Sequence, residues 1–238
     1  MVRKSDAWFS FDFANYEGRE FGGIFCVGHP KHRFFKEYRI EFFTSIATEV
    51  EIALKNISLY EMMRYNAVHD SLTGLYNRGK FMHLFAKEVN EAMINQRALA
   101  VVLFDIDYFK QVNDTYGHIV GDKVIHSISE AGREVTEEFG GLIGRYGGTE
   151  FIIVFPDCTE EEACHRAKKI HDKVRMLTFV ENGLKVCISS GITVFPSTCS
   201  NPNKMLKYAD YALYYSKQNG RDRMTLDSPI VRNAVVLQ

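Results

Sequence analysis

The sequence predicts an α/β (α+β) protein in which a mixed central sheet is flanked by helices. From about position 70 onward, apolar strands alternate with segments whose apolar residues recur every three or four positions, a spacing typical of helices. Within that alternation, the stretch LIGRYGGTEFIIVFP at 142–156 places an apolar strand on each side of a glycine pair, which is typical of a β-hairpin. Strand–helix alternation with one inserted hairpin favours mixed strand directions and helices on the sheet faces.

Composition and charge narrow the possible functions. The 238 residues are 46% hydrophobic and 25% charged, and the formal net charge is −1. A chain without a broad basic surface predicts no nucleic-acid partner. No apolar run approaches the roughly 20 residues of a membrane-spanning helix, and the N-terminus lacks a signal-peptide pattern. We therefore expect a cytoplasmic protein with no membrane partner. The five scattered cysteines form no CxxC pair, which disfavours a zinc site.

The N-terminal part predicts two strands and then a long helix. The strand segments are AWFSFDFA and REFGGIFCVGH, and the helical pattern runs over 44–69. Apolar residues spaced by three and four positions form a stripe along this helix. The stripe comprises Val50, Ala53, Leu54, Ile57, Tyr60, Met63 and Ala67. Such a helix can pair with a second copy of itself, as in a coiled coil, or pack on its own domain.

The remaining elements alternate in order. The patterns predict helices over 80–96, over a segment that follows GHIVGD and includes 124–135, over 159–176 and over 204–218. They predict strands over 98–107, over the two arms of the hairpin and over 185–195.

A cluster of polar residues follows the strand Val101–Phe104. This strand is apolar on both faces, which predicts a central, buried position. It carries Asp105 and Asp107 at its carboxyl end, and residues two apart on a strand share a face. Two carboxylates at such an edge suit Mg²⁺, which prefers oxygen ligands and shares them with substrate phosphates. The alternative is that these aspartates only terminate the strand and cap the next helix.

A second cluster, SKQNGRDR, ends the last predicted helix. Gly220 has the position of a helix C-cap, and Lys217 and Arg221 flank it. Cations are common at helix C-termini because of the helix dipole. Beside a metal–phosphate site they would also supply phosphate-binding charge. The residues thus predict metal-assisted phosphoryl or nucleotidyl transfer on an α/β sheet, with the nucleotide left open.

Four motifs, in order and at suitable separations, resemble those of the GGDEF domain of bacterial diguanylate cyclases. They are DSLTGLYNR, FDIDYFKQVNDTYGHIVGD, RYGGTEF and ALYYSKQNGRDR. The resemblance implies a palm-like GGDEF domain over 70–228, with 229–238 as a tail. Upstream, 1–43 resembles the C-terminal part of a GAF sensor domain, as a fragment or a vestigial dimerising cap, and 44–69 would connect the two.

The resemblance implies a reaction in which two GTP molecules form cyclic di-GMP and release two pyrophosphates, with Mg²⁺ or Mn²⁺ as cofactor. Each subunit of a homodimer would present one GTP across the active face, and the 44–69 helix would add a second contact. Site roles follow by position. Asp105 matches the metal-binding aspartate, and Ile106 matches a residue whose carbonyl is a further metal ligand. Asn113 and Asp122 match the pair that recognises guanine, and Gly147 and Gly148 would let the backbone approach the nucleotide. The residues that match positions beside the phosphates are Phe109, Lys110, Lys217 and Arg221.

The chain departs from the family pattern at Thr149. The family has aspartate or glutamate there, which binds metal and assists deprotonation of the attacking 3′-hydroxyl; threonine carries no charge. Glu150 would complete the catalytic and metal-binding set only imperfectly, because adjacent strand side chains point apart. Asp222 stands where the family frequently has asparagine. Positions 138 and 141, where an Arg-x-x-Asp product-inhibition site would lie, hold Glu138 and Gly141.

Three functions follow from this pattern. The first is a diguanylate cyclase weakened by Thr149. The second is a catalytically degenerate GGDEF domain that binds GTP and regulates a partner or its own sensor. The third is a dimerisation unit without nucleotide, which the residues matching the guanine and phosphate contacts disfavour.

Overall fold

The computed structural model describes residues 7–9, 27–29, 37–179 and 183–236. The chain divides into two compact units, residues 1–65 and 66–238. In the first unit, β1 (Ala7–Phe9) pairs antiparallel with β2 (Val27–His29). Both strands lie within the segments that the sequence predicts as strands, and the other residues of those segments are outside the described residues. The GAF-like assignment of 1–43 stays a prediction.

Helix α1 (Glu37–Val68) begins earlier than the apolar stripe predicts and ends where it predicts. Most of the stripe is exposed within the described part of the chain. Tyr60 is 62% exposed and Met63 70% exposed, and Val50, Leu54 and Ile57 are also exposed. An exposed apolar row of this length favours association over packing on the same domain.

The second unit is built on a five-stranded sheet in the order β4-β5-β3-β6-β7. The pairs are antiparallel except β6 with β7, so the sheet is mixed, as predicted. All eight residues of the central strand β3 are buried. The strands are β3 (Leu99–Ile106), β4 (Leu142–Arg145), β5 (Glu150–Pro156), β6 (Ile188–Phe195) and β7 (Met224–Leu226).

Helices cover both faces of this sheet. They are α2 (Arg78–Asn95), α3 (Phe109–Tyr116), α4 (His118–Glu138), α5 (Glu160–Met176), α6 (Met205–Gln218) and α7 (Pro229–Val236), with a short 3₁₀ helix at Pro202–Lys204. Alternate residues of β3 point to opposite faces. Val102 and Phe104 pack with α4 and α5, whereas Val101 and Leu103 pack with α2 and α6.

Local capping explains why some helix starts are predictable. The Thr159 hydroxyl accepts a hydrogen bond from the Glu162 backbone N–H, and the Glu162 carboxylate accepts from the Thr159 N–H, which completes a capping box before α5. Asn77 caps α2 by accepting from the Lys80 N–H.

The sequence patterns do not predict three of the elements. Helix α3 has only two turns, so its apolar residues Phe109 and Val112 are too few to form a periodic pattern. Strand β7 has three residues. The segment predicted as a tail includes α7, where Arg232 binds the buried carboxylate of Asp227 and Val231 is buried. A single buried ion pair leaves no periodic signal in a sequence.

Candidate functional site

The centre of the candidate site is a pair of carboxylates on neighbouring strands. In the β3–β5 ladder, Asp105 is directly opposite Glu150. Directly opposite residues of an antiparallel pair project from the same face, so the two side chains are neighbours. Burial raises the pKa of Glu150, and the charge of Asp105 raises it further. Glu150 therefore projects from the same side of the sheet as Asp105, and its imperfect replacement of a carboxylate at 149 stays a prediction.

Lys217 supplies the positive charge at this pair. Its Nζ lies 2.6 Å from Asp105 Oδ2, and the Asp105 side chain is 13% exposed. The other oxygen, Asp105 Oδ1, is buried and has no hydrogen-bond partner within the described part of the chain. A buried carboxylate oxygen without a partner is unfavourable, so this atom is poised for a ligand. Asp105 thus has one oxygen neutralised by lysine and one open.

Asp107 does not share this role, which corrects the prediction of an Asp105–Asp107 metal pair. Its Oδ1 accepts a hydrogen bond of 2.8 Å from the Ser189 hydroxyl, and its Oδ2 accepts one of 2.9 Å from the Asp222 backbone N–H. The pKa of Asp107 is raised above its ordinary value, mainly because the carboxyl group is buried. Both oxygens are used to fasten β6 and the turn after α6, so Asp107 is a structural tether.

The hairpin tip brings Thr149 next to these carboxylates. Thr149 is half-buried and immediately precedes β5, and its carbonyl accepts from the Ile106 N–H at 3.4 Å. Neither Gly147 nor Gly148 has a positive φ, so backbone conformation does not explain the glycine pair. A Cβ at Gly147 would lie 2.7 Å from Glu150 Oε2, whereas one at Gly148 would meet no atom within 4 Å. Gly147 therefore makes room for the Glu150 carboxylate, and the backbone at Gly148 stays open.

Arg145 anchors the tip, a role that sequence patterns miss. Its Nη2 donates to the Gly148 carbonyl at 2.7 Å, and its Nη1 donates to Asp70 Oδ1 at 2.9 Å. Burial alone would raise the pKa of Asp70, but hydrogen bonds from Thr73 and Arg145 outweigh it and lower that pKa. The two ends of this tether lie in two of the quoted motifs, DSLTGLYNR and RYGGTEF, so the hairpin is fixed to the segment that follows α1.

Asn113 and Asp122 lie on consecutive helices that meet at a tight junction. Gly117 (φ +83) joins α3 to α4 in a backbone conformation that favours glycine. A Cβ at Gly121 would lie 2.0 Å from Asn113 Oδ1, so only glycine fits there. That oxygen is buried without a hydrogen-bond partner among the described residues, and Asp122 is exposed. Phe109, from the first turn of α3, packs half-buried against the core.

The cations beside α3 come from two elements. Lys110 is exposed on the first turn of α3. Arg221 follows Gly220 (φ +107), which occupies the position after the C-cap of α6 as predicted, and the Arg221 N–H donates to the Ser216 carbonyl at 3.1 Å. This pattern is the Schellman ending of a helix. It places Lys217 and Arg221 on the two sides of one turn.

At the positions where the product-inhibition site would lie, the residues make contacts that are incompatible with such a site. Glu138 on α4 forms an ion pair with Lys169 on α5, and Glu134 pairs with Lys173 one turn away. A Cβ at Gly141 would lie 2.6 Å from Phe155 Cδ1 and 2.8 Å from the Val154 carbonyl oxygen. An aspartate at 141 would therefore displace the hairpin strand, and Glu138 is already paired.

The described residues limit any metal site to few ligands. Among them, no group of three or more His, Cys, Asp or Glu side chains is arranged to hold a metal ion. Asp105 and Glu150 still fit one divalent ion, because carboxylate oxygens suit it and Asp105 Oδ1 is unpartnered. None of the described helices has both the length and the apolar character that crossing a bilayer requires.

Comparison with known proteins identifies relatives of this second unit. A family model described as "Diguanylate cyclase, GGDEF domain" matches residues 67–223. Diguanylate cyclase A of Treponema denticola is 32% identical over 197 residues, which are 81% of this chain and 52% of the relative. The diguanylate cyclase DosC of Escherichia coli is 30% identical over 87% of this chain and 46% of its own. The chain thus spans about half the length of these curated relatives.

Solved structures agree with the sequence relatives. The coiled coil and GGDEF domain of DgcB from Caulobacter crescentus, in complex with cyclic di-GMP, has a TM-score of 0.65 at 28% identity and covers 78% of this chain and 98% of that one. The GGDEF domain of TpbB (YfiN) from Pseudomonas aeruginosa has a TM-score of 0.66 at 29% identity and covers 71% and 99%. The mixed five-stranded sheet with its flanking helices is the fold that these domains share.

Proposed function

This chain belongs to the GGDEF diguanylate cyclase family, and we propose that it binds GTP at the carboxyl end of β3 and converts it to cyclic di-GMP slowly. The observation that carries the proposal is the carboxylate of Asp105, which has one oxygen on Lys217 and one buried oxygen without a partner in the described chain. In this proposal a divalent cation, bound together with the GTP phosphates, would supply the partner that the buried Asp105 oxygen lacks.

Asp105, Glu150 and the Ile106 carbonyl would hold a Mg²⁺ or Mn²⁺ ion in this proposal. When bound, the ion would offset phosphate charge and activate the attacking oxygen. Water and the GTP phosphates would complete the ligand set, since two carboxylates and one carbonyl fill only part of the coordination sphere of a divalent ion. Lys217 would then leave Asp105 and turn to the phosphates, because a second cation competes with its ammonium for the same oxygen.

Lys110 and Arg221 would join Lys217 around the phosphates, and the backbone at Gly147 and Gly148 would pass close to the nucleotide. Phe109, in the first turn of α3, would lie beside the phosphates. Charge-assisted hydrogen bonds of this type are roughly twice as strong as neutral ones. Phosphate binding would therefore survive the loss of one metal-ligating carboxylate at 149.

Guanine selection is assigned to Asn113 and Asp122, and it is testable. A carboxylate can accept from the guanine N–H donors, which adenine does not present in the same way. We expect Asp122→Ala to erode the preference for GTP over ATP, because an unpaired donor costs about 1–3 kcal/mol, or roughly five- to a hundredfold in affinity. Isothermal titration calorimetry with both nucleotides measures it. Asp114→Ala, which removes an exposed carboxylate from α3, is the matched control. Equal GTP and ATP affinities in the unmodified chain would refute the assignment.

The condensation of two GTP molecules requires two sites, so we propose a homodimer whose active faces meet and whose α1 helices pair. The exposed apolar row on α1 supports the helix contact. We expect Ile57→Glu together with Met63→Glu to shift the full chain towards monomer in analytical ultracentrifugation, since both side chains are exposed apolar groups. Ile94→Glu changes an 80% exposed residue of α2 and should leave association unchanged. Unaltered association of the double variant would exclude α1 as the contact.

The second candidate function is a GTP-binding regulatory module without turnover. The observation that favours it is Thr149, because threonine adds no carboxylate to Asp105 and Glu150. It predicts the same guanine selectivity and dimer but no product. The two candidates therefore differ only in the chemical step.

A further inference from the structure

The turn after α6 has a backbone that residues with side chains rarely adopt. Arg221 (φ 58) and Asp222 (φ 44) are consecutive left-handed residues, and Tyr108 (φ 54) faces them from the start of α3. The left-handed conformation is unfavourable for residues that carry a Cβ. Such positions persist where the surroundings hold them, and they concentrate at functional sites.

The backbone of this turn is held without Tyr108. Asp107 Oδ2 accepts from the Asp222 N–H at 2.9 Å, and the Arg175 guanidinium lies 2.9 Å from the Asp222 carboxylate. Arg175 Nη2 also donates to the Asp222 carbonyl at 3.2 Å. The ion pair with Arg175 is available to aspartate and not to the asparagine that the family frequently has here. Asp107 and Arg175 therefore fix where the Cα atom of Arg221 lies.

Tyr108 instead determines where the Arg221 side chain points. The Arg221 guanidinium carbon lies 4.6 Å from the centroid of the Tyr108 ring, and Nη1 donates to the Tyr108 hydroxyl at 3.3 Å. Tyr108 is the N-cap residue of α3, yet its side chain makes no capping hydrogen bond. Its contribution is thus the ring under the guanidinium, which leaves the other N–H groups of Arg221 available to a ligand.

We propose that Tyr108 is a positioning residue that holds Arg221 ready for the GTP phosphates at the start of α3, an inference that rests on the proposed function. An unrestrained arginine loses much rotamer freedom when it binds a ligand. Stacking on Tyr108 restrains it before GTP arrives, so less affinity is lost on binding. The contribution should be confined to ligands that carry the terminal phosphates.

The test compares Tyr108→Ala, Tyr108→Phe and Tyr214→Ala in the full chain. The control variant is Tyr214→Ala, since Tyr214 is exposed on α6 and does not line the groove around Arg221. Binding is measured calorimetrically with the α,β-methylene analogue of GTP, which cannot lose pyrophosphate, and with GMP. We expect Tyr108→Ala to weaken analogue binding about two- to fivefold, the range for an exposed cation–π contact. Tyr108→Phe should keep most of the affinity, and Tyr214→Ala all of it.

Two further readouts separate positioning from a general structural effect. GMP affinity should be the same in all variants, and Tyr108→Ala should add no loss to Arg221→Ala, since the pair acts as a unit. An unchanged analogue affinity in Tyr108→Ala, or an equal loss for GMP, would overturn the inference while leaving the proposed function intact. Absence of analogue binding by the unmodified chain would overturn both.

Discussion

Replacing Thr149 by aspartate is expected to raise the rate of cyclic di-GMP formation by at least about tenfold. The charge that develops in the transition state must be balanced at the phosphates, and position 149 adds no carboxylate to Asp105 and Glu150, which lie directly opposite each other. Loss of one oriented electrostatic contact in an active site costs about 2.7–4 kcal/mol, or roughly a hundred- to a thousandfold in rate. Thr149→Asp restores a carboxylate at the hairpin tip, which Arg145 and the glycines already hold in place.

The matched control is Thr149→Asn, which has the shape of aspartate without its charge. We expect Thr149→Asn to be as slow as the unmodified chain, and GTP affinity to change little in either variant, because the proposed guanine and phosphate contacts lie elsewhere. Steady-state rates are measured by chromatography of the nucleotides. If Thr149→Asn were as fast as Thr149→Asp, a change in shape rather than charge would explain the gain.

Asp105→Asn is expected to lower turnover by about a hundredfold or more, for the same electrostatic reason. It also removes the oxygen charge that binds Lys217, so Mn²⁺ affinity in the presence of the α,β-methylene analogue should fall. Mn²⁺ titration followed by calorimetry tests this directly, and circular dichroism checks that the variant is folded.

Lys217→Met is the informative contrast to Asp105→Asn. It removes the ammonium that lies 2.6 Å from Asp105 Oδ2. We expect the nucleotide-free protein to bind Mn²⁺ more tightly in this variant, because no resident cation competes for the carboxylate, and to bind GTP more weakly. Unchanged Mn²⁺ affinity in both variants would place the metal away from Asp105.

The architecture of the second unit was predictable because its main elements carry strong periodic signals. The eight buried residues of β3 read as a continuous apolar strand, and the capping box at Thr159 marks a helix start. Helix α3, strand β7 and helix α7 were not predictable. Each is short, and α7 depends on the contact of Arg232 with Asp227, which folding alone creates.

The residues that form the candidate site were predictable from the motifs, but the contacts between those residues were not. The motifs identified Asp105, Glu150 and Lys217. The β3–β5 register explains why the two carboxylates meet, and α6 brings Lys217 to Asp105. Alternation along one strand suggested that Asp107 would join Asp105, but the Ser189 hydroxyl and the Asp222 N–H occupy its oxygens. The Arg145–Asp70 tether joins residues 75 positions apart, and no local pattern reports such a distance.

The central claim is that this chain binds GTP specifically and turns it over slowly because of Thr149. The most direct measurement incubates the purified full chain with GTP and Mg²⁺ or Mn²⁺, alongside Thr149→Asp, and separates bound and released nucleotides by chromatography over time. We expect both proteins to retain GTP, and cyclic di-GMP to accumulate at least about tenfold faster with Thr149→Asp. Equal rates in the two proteins would contradict it and would mean that Glu150 and Asp105 suffice for the metal.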